Sequence, residues 1–136
     1  MRNLLFIITL ILSVTEMKAQ NNDPWTVYMT PAEVHNLMEK MTGNFKMEIT
    51  MSMGAGKEPN IISINSVHKM LLGGRFLEMK QQGTMMGMDY QSIMTLGFNT
   101  IDKKMSLTTI TNMGTGTLSL VGVWNDKNKS ASLSGS

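Results

Sequence analysis

The sequence contains no cysteine among its 136 residues. Without thiols the chain can form neither a disulfide nor a thiolate metal site, and the lipid-modified cysteine of bacterial lipoproteins is excluded. The fold must therefore be held together by its apolar core and by backbone hydrogen bonds alone.

Neither sign of charge is in large excess, since the formal net charge is +2. The basic residues cluster only at Lys103 and Lys104 and, more loosely, at Lys127 and Lys129. A nucleic-acid partner requires a basic patch or stripe. The sequence therefore predicts no binding to nucleic acid.

The first 19 residues have the features of a cleavable signal peptide. Arg2 supplies a short cationic start, and residues 4–14 form an apolar run. This run is shorter than the roughly 20 residues that span a bilayer, but it fits a secretory signal. Ala19 is a small residue suited to cleavage, with Gln20 as the mature start. The sequence therefore predicts a periplasmic or secreted protein with no membrane segment after cleavage.

Residues 20–29 form a polar lead-in, and one short helix is predicted to follow at the start of a single domain over 30–136. Thr30 is the expected N-cap, Pro31 suits the first helical position, and Glu33 completes a capping box. Gly43 is expected to end the helix. Apolar residues fall at helical spacing on one face: Val34, Leu37, Met38 and Met41.

Strand-type alternation dominates the rest of the chain. Residues 44–53 alternate strictly between apolar and polar side chains, which is typical of a half-buried strand. Further strands are predicted over 61–71, 75–82, 88–98, 105–111 and 117–124, and a seventh begins at Ser130. Short strands separated by Gly- and Asn-containing turns indicate an all-β, antiparallel up-and-down meander.

A long meander with one apolar face is expected to curl toward a barrel, because closure removes its exposed edges. Small barrels of this kind need about eight strands. The sequence supplies seven and stops inside the last. We therefore expect a barrel-like sheet that is incomplete at the C-terminus, either because a strand is missing or because the chain is a fragment.

No catalytic, metal or cofactor motif is present. The glycine pairs at Gly73 and at Gly114 precede strands rather than helices, so they predict hairpin turns and not phosphate loops. No Gly-x-Ser-x-Gly elbow occurs, and the spacing of His35 and His68 does not suit zinc. The sequence predicts no catalytic residues, no metal and no cofactor.

Several segments resemble an uncharacterised bacterial family, domain of unknown function 1579. They are Leu71 through Leu77 (LLGGRFL), Gly83 through Met88 (GTMMGM), Thr95 through Phe98 (TLGF), Asn112 through Gly116 (NMGTG) and Gly122 through Trp124 (GVW). The resemblance covers roughly residues 37–135. The family usually has Trp where Phe45 stands and Tyr where Phe98 stands. The opening, a helix followed by Gly43-x-Phe45, is similar to lipocalin-like barrels and implies a cavity without naming a ligand.

Methionine is unusually frequent, with 16 residues in all. Two groups, Met51-x-Met53 and Met85-Met86-x-Met88, resemble thioether clusters that bind Cu(I). The alternative is that methionine fills the core, because Met51 shares a strand face with Phe45. In the sequence neither histidine lies beside a methionine pair, which favours core packing.

The function we expect is the binding of a small, largely apolar ligand in the barrel cavity. The expected lining is Met88, Tyr90, Met94 and Trp124, with Arg75 at the rim. This expectation rests partly on analogy with barrel architecture. An enzyme centred on His68, close to Ser66 and Met70, is one alternative. A structural or interaction protein, with its barrel filled by side chains, is another, and a Met-based copper binder is the third.

Overall fold

Seven strands follow one another across a single antiparallel sheet in the computed structural model, which describes residues 23–52 and 54–135. The strands, in order along the sheet, are β1 (Gly43–Met51), β2 (Asn60–Leu71), β3 (Phe76–Met85), β4 (Met88–Phe98), β5 (Lys104–Thr111), β6 (Leu118–Asn125) and β7 (Ser130–Ala131). The predicted signal peptide and Met53 lie outside the described residues. The all-β meander predicted from alternation is confirmed.

The sheet curves into a half-barrel, and its register follows from the alternation. In β2 every second residue from Ile62 to Ser66 is buried while its neighbours are exposed. A one-residue slip would move all these side chains to the other face, so this pattern pins the pairing. The same apolar parity continues through the paired strands and gives the half-barrel one well-buried face.

A short helix, α2 (Glu33–Glu39), packs on that buried face at one end of the sheet. Its Val34 and Met38 form a core cluster with Leu77 of β3, Phe98 of β4 and Met105 of β5. We call the face that carries this cluster the interior face, and the opposite one the outer face. The end of the sheet under α2 is the helix end, and the end with the β1–β2 loop is the far end.

The predicted N-terminal helix is therefore present, but its start differs from the prediction. The N-cap is Ala32, and the Nδ1 atom of His35 accepts a hydrogen bond of 2.9 Å from the Ala32 backbone N–H. The predicted cap, Thr30, instead ends an earlier helix and donates to the Thr26 carbonyl at 2.7 Å. Glu33 reaches Lys129 at 3.2 Å. The two residues of the expected capping box thus have other partners.

The end of the helix also differs from the prediction. Lys40 is the C-cap, so α2 ends before Gly43, which has a φ of 134° and begins β1. Met41, expected on the apolar face, lies beyond the helix and is exposed. Val34 and Met38 are buried as predicted, and His35 is buried beside them.

An additional helix, α1 (Pro24–Met29), occupies most of the segment predicted as a polar lead-in. The Asp23 carboxylate caps it by accepting from the Thr26 backbone N–H at 3.0 Å, and Pro24 suits its first turn. No residue of α1 is buried. None of the described helices is both long and apolar enough to cross a bilayer.

Candidate ligand-binding site

Three polar side chains cross the interior face in a single row. Ser66 of β2 pairs with Gln81 of β3, which pairs with Ser92 of β4. All three are buried, at positions where the alternation of each strand calls for an apolar residue. Buried polar side chains require hydrogen-bond partners, so each polar atom in this row is expected to have one.

Gln81 lies at the centre of this row, and its amide oxygen has better hydrogen-bond partners than its amide nitrogen. Its Oε1 accepts from the Ser92 hydroxyl at 2.9 Å and from the Tyr90 hydroxyl at 3.4 Å. Its Nε2 donates at 3.4 Å to the Met47 sulfur, its one partner among the described residues. A thioether is a weak acceptor. The amide nitrogen of Gln81 therefore retains most of its capacity to bind a better acceptor.

Thr109 of β5 supplies a second donor with an unfilled hydrogen bond on the interior face. It pairs with Met94 of β4 on one side and with Leu118 of β6 on the other. Its Oγ1 is buried and has no hydrogen-bond partner in the described part of the chain. Leu118 is 54% exposed although it faces the interior. The interior is therefore accessible from the β5–β6 side, next to a hydroxyl that has no partner.

Of the predicted lining residues, Tyr90, near the start of β4, and Met94, in its middle, lie on the interior face. Trp124 also lies on the interior face, but at the helix end. Its ring packs edge-on against Phe98 with centroids 6.4 Å apart, and its Nε1 donates to the Asp126 carboxylate at 2.9 Å. The structure thus places Met94 directly opposite Thr109 and Tyr90 four residues away on the same strand, whereas Trp124 belongs to the core under α2.

Met88 and Arg75 lie at opposite ends of the sheet. Met88 begins β4 at the far end and is 51% exposed. Arg75 precedes β3 at the helix end, where its guanidinium donates to the carbonyls of Met29 at 2.7 Å and Leu72 at 3.1 Å. The predicted rim arginine is therefore committed to backbone carbonyls, and it does not share a site with Tyr90 and Met94.

A small cavity of about 270 Å³ lies beside Arg75, between α1, the start of α2 and the end of β4. His35 and Phe98 line it, with ring centroids 5.8 Å apart. Burial is the main cause that lowers the pKa of His35. A neutral imidazole is what the N-cap requires, because Nδ1 can accept from Ala32 only when it carries no proton.

His68 of β2 is held by two hydrogen bonds on the interior face. Its Nδ1 lies 3.0 Å from the Met41 carbonyl oxygen, and its Nε2 lies 2.8 Å from the Ser66 hydroxyl. A carbonyl only accepts, so Nδ1 carries the proton and Nε2 accepts from Ser66. The sequence alternative of chemistry around His68 next to Ser66 thus rests on a pair of residues that do contact each other.

The outer face carries an open depression of about 590 Å³ over β2 to β5. One cross-strand row on its floor consists of Val67, Lys80, Ile93 and Ile110, and a neighbouring row consists of Asn65, Gln82 and Gln91. The charge of Lys80 is partly balanced by Glu78, whose carboxylate lies 3.5 Å away. Nothing in the linear sequence predicted this feature, because it exists only once the four strands are in register.

The methionine groups singled out in the sequence lie at the far end of the sheet. Met85 pairs with Met88 across the β3–β4 turn, with Met86 exposed at its tip, and Met51 ends β1. Both histidines lie nearer the helix end. The described residues also contain no group of three or more His, Cys, Asp or Glu side chains that could hold a metal ion.

The polar network itself could have been found in the sequence. Ser66, Gln81 and Ser92 occupy interior positions by parity, and a polar residue at a core position signals either a hydrogen-bonded network or a site. What the sequence does not contain is the register that brings Gln81 to Ser92 and Met94 to Thr109.

Comparison with known proteins adds one match. A family model described as protein of unknown function (DUF1579) matches residues 30–136. Neither the curated proteins nor the solved structures gave a match to this chain.

Proposed function

The chain belongs to the DUF1579 family, whose description assigns no activity, and we propose from its own geometry that it is an exported binding module for a small, largely apolar molecule held against the interior face of the half-barrel. The resemblance seen in the sequence is confirmed by this membership. The ligand and the export are our proposals.

The observation that carries the proposal is the buried Thr109 hydroxyl without a partner. An unsatisfied buried hydroxyl costs roughly 1–3 kcal/mol, and an acceptor carried by a ligand at the accessible part of the interior would remove that cost. The Thr109 hydroxyl suits a ligand that carries a hydrogen-bond acceptor at one end. The Gln81 amide nitrogen, another donor on the same face, is directed toward Met47 of β1 and is not part of this site.

The rest of the ligand would be apolar, because the side chains around Thr109 are. Met94 and Leu118 flank it in register, and the partly buried Tyr90 contributes an aromatic ring from the same strand as Met94. Methionine adapts to ligands of irregular shape. Elsewhere the interior is filled, since Ile64 and Ser66 are each only 1% exposed. The proposed site is therefore confined to the β4–β6 side.

A location test compares two positions of equal exposure on opposite faces. Leu118 faces the interior and is 54% exposed, while Ile110 faces the outer depression and is 49% exposed. Mature protein is titrated with the fluorescent apolar probe N-phenyl-1-naphthylamine, and dodecanoate is used to displace it. We expect Leu118→Lys to weaken probe binding about tenfold, which corresponds to roughly 1.4 kcal/mol, and Ile110→Lys to leave it unchanged. The opposite order, or no saturable binding, would refute the interior site.

Thr109→Val separates binding from folding. Valine has the shape of threonine without the hydroxyl, so it removes the unsatisfied group. We expect the free energy of unfolding to stay the same or rise by up to about 1 kcal/mol, because removing an unpaired buried polar group is nearly neutral or stabilising. Dodecanoate should bind more weakly to this variant, whereas the naphthylamine probe should bind unchanged. Destabilisation, with unaltered dodecanoate affinity, would show that the hydroxyl has a structural role only.

One observation favours a second function, hydrolysis. The hydroxyl of Ser66 donates to an imidazole that is itself oriented by the Met41 carbonyl, which is the polarity of a nucleophile and its base. Against it, Ser66 is 1% exposed, so a substrate carbonyl does not reach its Oγ. A fluorophosphonate probe tests this directly. Labelling of Ser66 that His68→Gln abolishes would favour the enzyme over the binding module.

A further inference from the structure

Sheet pairing brings together a histidine and two methionines that lie far apart in the sequence. His68 of β2 lies opposite Met79 of β3, and Met79 lies opposite Met94 of β4. All three are partly buried on the interior face. Directly paired residues have Cβ atoms about 4.5–5.5 Å apart. In the sequence only Met70 is close to His68, so this group of three residues arises from the register of the sheet.

The curvature of the half-barrel favours convergence of these side chains. On the interior of a curved sheet, side chains from neighbouring strands point toward a common axis, and methionine is long and flexible enough to reach across one strand. Met79 occupies the middle strand, with His68 and Met94 on either side. Register and curvature together therefore place the three side chains at neighbouring positions on the interior face.

One nitrogen of the His68 imidazole is already held as in many metal-bound histidines. The Met41 carbonyl lies 3.0 Å from Nδ1 and can only accept, so the proton of the neutral ring is on Nδ1 and the lone pair is on Nε2. A backbone carbonyl on the second nitrogen is the usual partner of a metal-bound histidine. Phe45 packs against the ring with centroids 4.5 Å apart and limits its rotation. The present partner of Nε2 is the Ser66 hydroxyl, at 2.8 Å.

The donor set determines which ion fits. Two thioethers and one neutral imidazole are soft or borderline ligands without charge, and thioethers select Cu(I) among biological metals. Zn²⁺ and harder ions prefer thiolate, carboxylate or several imidazoles. We propose that His68 Nε2 and the sulfur atoms of Met79 and Met94 form a three-coordinate site for a soft monovalent cation, Cu(I). The ion replaces the Ser66 hydroxyl at Nε2: that hydrogen bond is lost, three coordinate bonds form, and no covalent bond or oxidation state changes.

This site differs from the methionine groups that the sequence suggested. Met85, Met86 and Met88 carry the sequence motif, but they lie at the far end of the sheet and Met86 is 67% exposed. The proposed site also goes beyond the binding of an apolar ligand. It shares Met94 with that ligand site, but it depends on His68 and Met79, which the apolar ligand does not require.

Methionine methyl resonances provide a test at the level of single residues. Mature protein labelled with methyl-¹³C methionine is titrated with Ag⁺, a stable substitute for Cu(I), in chloride-free buffer. We expect saturation at one ion per chain, with the largest shifts at Met79 and Met94. Met79→Leu and Met94→Leu should each weaken Ag⁺ binding about tenfold or more. Met70→Leu and Met105→Leu, which change methionines of the same face, should leave the affinity unchanged.

Ser66→Ala distinguishes a metal-binding role of His68 from a purely structural one. Removing the hydroxyl that competes for Nε2 should tighten Ag⁺ binding, whereas loss of a merely structural hydrogen bond would leave Ag⁺ binding unchanged. The proposal is overturned if Ag⁺ shifts mainly the exposed Met86 and Met88, if it shifts the methionines without saturation, or if Met70→Leu weakens binding as much as Met79→Leu. Because the methyl shifts are read in the unmodified chain, a variant that fails to fold does not decide the outcome.

Discussion

Gly122 permits the C-terminal segment to lie directly on β6. A Cβ atom at this position would be 2.0 Å from the Ser132 carbonyl oxygen, which is a backbone atom. We expect Gly122→Ala to displace the segment and break the pairing of Val121 with Ser134. Overpacking of this kind costs about 1–3 kcal/mol, measured by urea unfolding. Gly116→Ala is the control, since no atom lies within 4 Å of a Cβ there. Equal stability of the two variants would contradict the expectation.

His35 makes stability depend on pH through its role at the start of α2. Burial lowers its pKa below the ordinary value of about 6.5. Below about pH 6.5 the unfolded chain therefore binds more protons than the folded chain, and the free energy of unfolding falls as the pH is lowered toward the folded pKa. Below that folded pKa His35 adds no further slope, and above about pH 7 it adds almost none.

A variant that caps without titrating isolates this contribution of His35. Glutamine at the third helical position accepts from the N-cap backbone N–H much as the His35 Nδ1 does. We expect the difference in unfolding free energy between the natural protein and His35→Gln to be constant above pH 7 and to shift in favour of the variant between pH 6.5 and 5. Urea unfolding at half-unit pH intervals measures this. Parallel pH profiles of the two proteins would show that His35 does not titrate on unfolding.

At the scale of elements, α1 is attached by polar contacts, because none of its residues is buried. Arg75 donates to the Met29 carbonyl, and the Thr100 hydroxyl donates to the Val27 carbonyl, each at 2.7 Å. We expect Arg75→Ala combined with Thr100→Val to release α1. Hydrogen exchange over 24–29 should then accelerate, while exchange in β3 and β4 stays slow. Thr26→Ala, which weakens only the contact with Asp23 inside α1, is the comparison. Unaltered protection in the double variant would mean that other contacts hold α1.

The strands were predictable from sequence because alternation is a property of the chain itself. β4 has the predicted bounds, β5 begins one residue earlier than predicted, and β1 and β6 differ from their predicted bounds by one or two residues at each end. β3 is longer than predicted because it continues through Gly83, where Ile64 and the Ser63 carbonyl crowd the missing Cβ and the pairing with Tyr90 is kept. Glycine in a sequence commonly indicates a turn, whereas Gly83 allows close packing between strands.

The helix caps and the site were less predictable because both depend on competition between partners. Thr30 and Glu33 have the spacing of a capping box, but Thr30 bonds to Thr26 and Glu33 reaches a lysine from the β6–β7 turn. Of the residues in the proposed site, Tyr90 and Met94 were predicted from the face of the strand on which they lie. The positions of Thr109 and Gln81 and the pairing of His68 with Met79 depend on register across several hairpins, which no local pattern encodes.

For the whole molecule, the two faces of the half-barrel have different chemistry. The interior face combines a filled core under α2 with polar groups whose hydrogen bonds are only partly satisfied. The outer face displays charged, amide and aliphatic side chains in cross-strand rows. The first strand, β1, carries Lys46 and Glu48, 3.7 Å apart, on its exposed side. Charges at a sheet edge oppose pairing with other chains. The charges on β1 therefore disfavour aggregation through this edge, and they leave the interior face free for the proposed ligand.

At the scale of the whole chain, the proposed export depends on the segment that precedes the domain. If residues 1–19 are a signal peptide, expression of the complete gene in a bacterial host should yield a mature chain beginning at Gln20 outside the cytoplasm. Loss of Arg2, Lys18 and Glu16 on cleavage would lower the formal net charge from +2 to +1. Intact mass of the protein in the periplasmic or culture fraction measures the cleavage site.

The matched variant places a charge within the apolar run. Ile8→Lys interrupts the h-region that the secretion machinery must recognise, whereas Ile8→Leu keeps it apolar. We expect the lysine variant to remain uncleaved in the cell and the leucine variant to be exported like the natural chain. Uncleaved protein in the cytoplasm for all three chains would refute export. It would leave the interior binding site to be tested on its own, because the partners of Thr109 and His68 named above all lie within the described residues.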